Sequence, residues 1–194
     1  NEVEWLTYST NSDRLTAVAA GEADYAYLSG DMLYSVNNMD DMEIVAWAAD
    51  EDLMPDYGCC RMNMRTDFVK ENPTTVKLLL KALIRANAYF EANKEECVGI
   101  LAEALGTDED YVAAYLLNPN YVPYVDPCKN AILQTWEIMG ETGFLADGYE
   151  DIDIESHINT ELYKEALDEV IEEHYDEYPE IYDEMVTFFE EHNN

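Results

Sequence analysis

Ser29, Gly30 and Asp31 set a hydroxyl, an unobstructed backbone N–H and a carboxylate side by side. Such a set can donate to and accept from a small polar molecule, with Asp31 accepting from an amine or hydroxyl; it is equally a plain turn. Thr10 and Asn11 offer a second pair of short polar side chains earlier in the chain. Tyr57 brings a ring that can stack on a flat or apolar ligand part, or serve as a core or hinge aromatic. Arg61 carries a planar fork that matches two oxygens of a carboxylate or sulfonate, or balances nearby acid. Arg14 reads as bridging to an acid on its own helix.

Cys59 and Cys60 are adjacent, so in a regular strand their side chains point to opposite faces and cannot grip one metal. With Cys97 and Cys128 they form no C-x-x-C spacing, and zinc is not expected. The thiols read as small buried hydrophobes, with Cys59 also a candidate ligand contact. A disulfide is open in an exported protein, and the sequence does not choose its partners.

Nothing assembles into a catalytic centre. The three histidines, His157, His174 and His192, all lie in the acidic C-terminal third. No Ser, His and Asp arrangement and no phosphate-cradling glycine-rich loop is recognisable. Neighbouring carboxylates carry no information in a chain with 43 of them. The expectation is binding without chemistry and without a cofactor or metal.

Composition narrows the partners. A net charge of −33 argues against nucleic acid and anionic membrane surfaces, and makes a strongly anionic solute less attractive than a neutral or cationic aromatic amine. Much of the acid follows Gly148 and reads as a solvated face, with no EF-hand spacing. Apolar residues make up 48% of the chain, so a packed core is expected rather than disorder. No apolar run is long enough to span a membrane.

These residues need elements to hold them. Residues 3–8, 23–28 and 43–48 are short apolar runs that read as strands. Between the first two, Asn11-Ser12-Asp13 offers capping chemistry for a helix that stops at Gly21. Strands alternating with a helix point to an α/β lobe. After Pro55-Asp56-Tyr57-Gly58, residues 59–64 read as another strand, and the rest as helices. Asn72-Pro73 opens one carrying Val76, Leu79, Leu80, Leu83 and Phe90 on one face. A second stops at Gly106. Thr107 to Asp110 resembles a capping box for a third. Asp126-Pro127 opens a fourth, Asn159 or Thr160 caps a fifth, and a last set follows Pro179. In open α/β sheets ligands sit beyond the carboxyl ends of strands; that rule selects Thr10 and Asn11, Ser29 to Asp31, and the loop ending at Gly58.

The order of several phrases resembles one family. Residues 11–26, with Gly21-Glu22-Ala23-Asp24, resemble the helix, acidic-glycine turn and strand of the solute-binding proteins of ABC importers for nitrate, sulfonates, taurine and pyrimidine precursors. Tyr57-Gly58-Cys59-Cys60-Arg61, then Phe68 and Asn72-Pro73 before a long helix, are similar to that family's next segment. The helix-glycine-helix over 94–115 and Gly143-Phe144-Leu145 follow in the same order.

The resemblance implies an α/β fold of the type 2 periplasmic-binding kind, present in part: residues 1–48 from the second lobe, residues 49–194 from the first. It implies an extracytoplasmic protein that binds a small organic molecule in an interlobe cleft and delivers it to an ABC permease. Half the cleft would precede this chain, so exposed apolar surface and self-association are expected. The alternatives are a pyrimidine-precursor synthase on the same scaffold, which needs a cysteine-rich iron motif and a cofactor lysine, and an acidic helical module that binds a basic partner.

Overall fold

The structure is a computed structural model, and it describes residues 3–48 and 58–194. Its elements are helices. In chain order they are α1 (Asn11–Ala19), α2 (Leu33–Asn37), α3 (Thr66–Glu71), α4 (Pro73–Ala92) and α5 (Lys94–Leu105). They continue with α6 (Glu109–Leu116), α7 (Lys129–Glu141), α8 (Glu161–His174) and α9 (Pro179–His192). Short 3-10 turns intervene, one of them over Gly30–Met32.

The α/β expectation is overturned. Among the described residues there is no strand and no sheet, so the type 2 periplasmic-binding architecture is not what this chain adopts. The runs at 3–8, 25–28, 43–47 and 58–64 are non-helical but form no ladder. The physical reason is where each element finds its hydrogen bonds. A helix closes its own N–H to C=O bonds within one segment, whereas a strand needs a neighbour. Among the described residues these runs pair with no second strand, and several of their apolar side chains stand open: Trp5 is 82% exposed and Val45 83%.

The helix starts and stops follow local chemistry. Thr10, rather than the residues after it, caps α1, its hydroxyl accepting from the Asp13 N–H at 3.0 Å. Gly21 takes a left-handed φ of 72° just past that helix, and Gly106 does the same with 66° after α5. Pro73 is the first residue of α4. Asp108 takes the cap position of α6 without a side-chain hydrogen bond, so the helix forms but the capping box does not close. Thr160 stands at the cap position of α8 without a side-chain bond, and Asn159 just before it accepts at Oδ1 from the Leu162 N–H at 3.1 Å. The helix opened by Asp126-Pro127 begins later, at Lys129.

The chain divides into two compact units. Asn1–Trp47 and Asn93–Val122 form the first; Ala48–Ala92 and Pro123–Asn194 form the second. In the first, α2 packs on α6 and α5 on α6. Leu15, Met32, Leu33, Val98, Val112 and Leu116 are buried there. In the second, α4 lies along α8, and α9 closes over both. Val76, Leu80, Ile84 and Ala88 meet Tyr163, Ala166, Leu167 and Val170, with Tyr182 and Met185. Of the five residues that the periodicity selects on α4, Val76 and Leu80 are buried, Leu83 and Phe90 half-buried and Leu79 43% exposed; the buried face continues instead through Ile84 and Ala88. No helix among the described residues is long and apolar enough to cross a membrane.

Candidate functional site

Two of the stretches chosen from the sequence come together in the first unit. The N-terminal end of α1 brings Thr10 and Asn11 beside the turn that carries Ser29, Gly30 and Asp31. Asn11 donates from Nδ2 to the Ser29 hydroxyl, and Ser29 in turn donates to Asp31 Oδ1. Arg14, one turn along α1, donates to Asn11 Oδ1 at 3.2 Å and to the Tyr27 carbonyl at 3.3 Å. The result is a chain of four side chains, polarised from a guanidinium at one end to a carboxylate at the other.

The sequence separation of 18 residues between Asn11 and Ser29 is closed by the reversal at Gly21, where the Glu22 N–H returns to the Ala17 carbonyl at 2.8 Å. Thr10 is partly committed, since its hydroxyl oxygen serves as the α1 cap. Gly30 begins the 3-10 turn with open space where a side chain would stand. Ser29, Gly30 and Asp31 are all exposed. Arg14 was expected to pair with an acid of its own helix; it joins this network instead, because the chain reversal brings the Tyr27 carbonyl within its reach.

A feature that sequence reasoning missed lies in the same unit. Tyr34, Tyr111, Tyr115 and Tyr121 form a run of edge-to-face rings with centroids 5.6 to 6.1 Å apart. The Tyr115 hydroxyl is held above its usual ionisation range, first by burial and then by neighbouring groups that include Tyr121, Tyr111 and Asp31. Asp31 therefore sits within electrostatic reach of the ring run. The available signal was the spacing of Tyr111 and Tyr115, four apart on one helix.

The remaining selected residues belong to the second unit. Tyr57 lies outside the described residues. Cys59 and Cys60 are exposed rather than buried, contrary to their reading as small hydrophobes in a core. They stand in an irregular stretch, and their sulfurs are 3.6 Å apart. Sharing a hydrogen with Cys59 pushes the Cys60 thiol up from its ordinary range, and the Arg61 charge opposes this.

Arg61 folds back along its own segment. It donates from Nη1 to the Cys60 carbonyl at 2.6 Å. Its Nη2 would stand 1.8 Å from a side-chain carbon placed on Gly58, so glycine there is what admits the guanidinium. The Arg61 Nε is buried without a hydrogen-bond partner.

The histidines also have defined places. His174 bonds Glu177 at 2.9 Å at the end of α8, and His192 stacks on Phe188, which stacks on Tyr124. Among the described residues, no group of three or more His, Cys, Asp or Glu side chains is arranged to hold a metal ion. Two open grooves lie elsewhere. One, of about 550 Å³, runs between Val18, Ala19, Ala23, Asp24 and residues 39–42. The other, of about 440 Å³, is lined by Met64, Arg65, Asp67, Phe68 and Glu71. Neither includes the Asn11–Ser29–Asp31 network.

Compared with known proteins, the chain matches no protein family, no curated protein and no solved structure.

Proposed function

We propose that this chain is a binding module that holds a small organic molecule without altering it, as the solute-binding component of an importer. The observation that carries the binding reading is the convergence of Asn11, Ser29 and Asp31 through side-chain hydrogen bonds at an exposed surface of one unit. The loss of the sheet removes the strand-end rule that first selected these residues. The hydrogen-bonded convergence now stands in its place, and the importer role rests on the order of the sequence phrases alone. Asp31 and the Ser29 hydroxyl suit a ligand that carries an amine or hydroxyl, and the net charge of −33 favours a neutral or cationic solute over an anion.

The test is titration calorimetry of the protein against a pyrimidine amine, taurine, an alkyl sulfonate and nitrate. We expect the pyrimidine amine to bind and Asp31→Asn to weaken it roughly 10- to 100-fold, the worth of one hydrogen bond to a charged group. Binding that is unmoved by Asp31→Asn and Ser29→Ala, or no binding by any of the four, would overturn the assignment.

A second reading, an acidic module for a basic protein, is favoured by one observation: Trp5 and Val45 stand more than four-fifths exposed on the first unit. Pull-down of a basic protein that survives Ser29→Ala but fails with Trp5→Ser would select it.

A further inference from the structure

We propose that Cys59 and Cys60 form a dithiol site that chelates one soft, thiophilic centre through two sulfurs. In a regular strand adjacent side chains diverge, which would separate the two thiols. Here the segment is not a strand, and the two Sγ atoms stand 3.6 Å apart on an exposed surface. That places both sulfurs on one side of the backbone, within the bite of a single atom that bonds to each.

The surrounding residues hold the arrangement. Arg61 Nη1 bonds the Cys60 carbonyl at 2.6 Å and so fixes the peptide that follows the pair. Gly58, by lacking a side chain, gives the guanidinium room to fold back over the start of the segment. A cation beside the pair also offsets the charge that two thiolates bring when they bind.

The ligand class follows from the donor count. No third His, Cys, Asp or Glu joins the pair in a metal-holding group among the described residues. Tetrahedral zinc and iron–sulfur centres call for more protein ligands than that. A centre satisfied by two sulfurs does not, and thiolate is the donor that soft centres select. Once the first sulfur is bonded the second bond closes within the molecule, so the pair competes well against free monothiols.

Phenylarsine oxide is the probe. Two As–S bonds form as the As=O bond is lost, the oxygen leaves as water with the two thiol protons, and arsenic stays trivalent. No electron is transferred.

The protein, reduced beforehand with a phosphine, is mixed with phenylarsine oxide in the presence of millimolar monothiol and read by intact mass and peptide mapping. We expect one adduct per chain, on the peptide that contains Cys59 and Cys60. We expect Cys59→Ser or Cys60→Ser to weaken retention by about 100-fold, the gain that a second linked contact brings. The double variant Cys97→Ser, Cys128→Ser should bind as the unaltered chain does. An adduct that maps to Cys97 or Cys128, retention unchanged in Cys60→Ser, or failure of the unaltered chain to hold the arsenical against monothiol would each overturn the proposal. Mapping on the unaltered chain keeps the test valid even if a serine variant misfolds.

Discussion

The two units solve the same problem with different success. In the second, Ile84, Ala88, Ala166, Leu167, Val170 and Tyr182 have no exposed surface at all. In the first, Val112 alone among the core residues reaches that state, while Trp5, Tyr25, Tyr27 and Val45 stand more than half exposed. Both units draw on a chain rich in apolar residues. They differ in how the backbone is satisfied. The second unit is built from long helices whose polar groups pair locally, which leaves the side chains free to choose a common face. The first contains three non-helical runs that form no ladder among the described residues, and several of their apolar side chains stay exposed.

Core truncation should expose this difference most strongly. Leu167→Ala removes a fully buried side chain from the α4–α8 interface and is expected to cost about 2–5 kcal/mol, read from the urea midpoint by circular dichroism. Val45→Ala, at 83% exposure, should stay within about 0.5 kcal/mol. If Val45→Ala cost as much as Leu167→Ala, the non-helical runs would be buried in solution and the contrast between the units would collapse.

Buried polar pairing should separate the units next. Asp126 is 3% exposed, and its Oδ1 accepts from the Cys128 N–H at 2.7 Å and from Asn193 Nδ2 at 2.8 Å. Asn193 Oδ1 in turn accepts from the Lys129 N–H at 3.0 Å, so the end of the chain is tied to the start of α7. The same bonds hold Cys128 at a φ of 47°, an uncommon conformation for a residue with a side chain. Asp126→Ala leaves two buried donors without their acceptor and should cost about 1–3 kcal/mol in the same unfolding assay. Ser29→Ala removes both bonds of its hydroxyl in the exposed network of the first unit and should change stability by less than about 0.5 kcal/mol. Equal effects would mean that the Asn11–Ser29–Asp31 network is a structural lock rather than a surface free to meet a ligand.

What the sequence made legible divides between helices and non-helical runs, in both units. Helices with local signals are readable: Pro73 opens α4, Gly106 closes α5, and Asn159 accepts from the Leu162 N–H at the start of α8. The runs at 3–8, 25–28 and 43–47 carry the apolar and aromatic content of strands, but strandedness depends on a partner that local composition cannot supply. The same dependence hid the geometry of the cysteines. Opposed side chains follow only from a regular strand, and without one the sulfurs of Cys59 and Cys60 approach. Asn11, Ser29 and Asp31 were selected for a reason that failed, yet the reversal at Gly21 brings them together. Short α2 and α3 were missed because five or six residues carry too little periodicity to register.

The smallest expected effect belongs to the ion ladder between α4 and α8. Lys77 reaches Glu165 and Glu169, Lys81 reaches Glu169 and Glu173, and Arg85 reaches Glu177. Basic residues four apart on α4 thus face acids four apart on α8 and on the 3-10 turn that follows it, which places scarce cations against the dense acid of the C-terminal third. Hydrogen bonds from Lys77 and then Lys81 hold the Glu169 carboxyl below its usual range. Its stabilising contribution is therefore present above the ordinary glutamate range and is lost as pH falls through the lowered value. The bond to Glu169 raises Lys77, and that to Glu173 raises Lys81. Their contribution is present below the ordinary lysine range and is lost as pH rises through the raised values. Because Glu169 and Glu173 remain 39% and 52% exposed, solvent screens the ladder and its effect stays modest. Glu169→Gln should lower the urea midpoint slightly at neutral pH. The difference should shrink with added salt and vanish below the carboxylate range. A difference that persisted in acid would assign the role of Glu169 to packing of its stem rather than to charge.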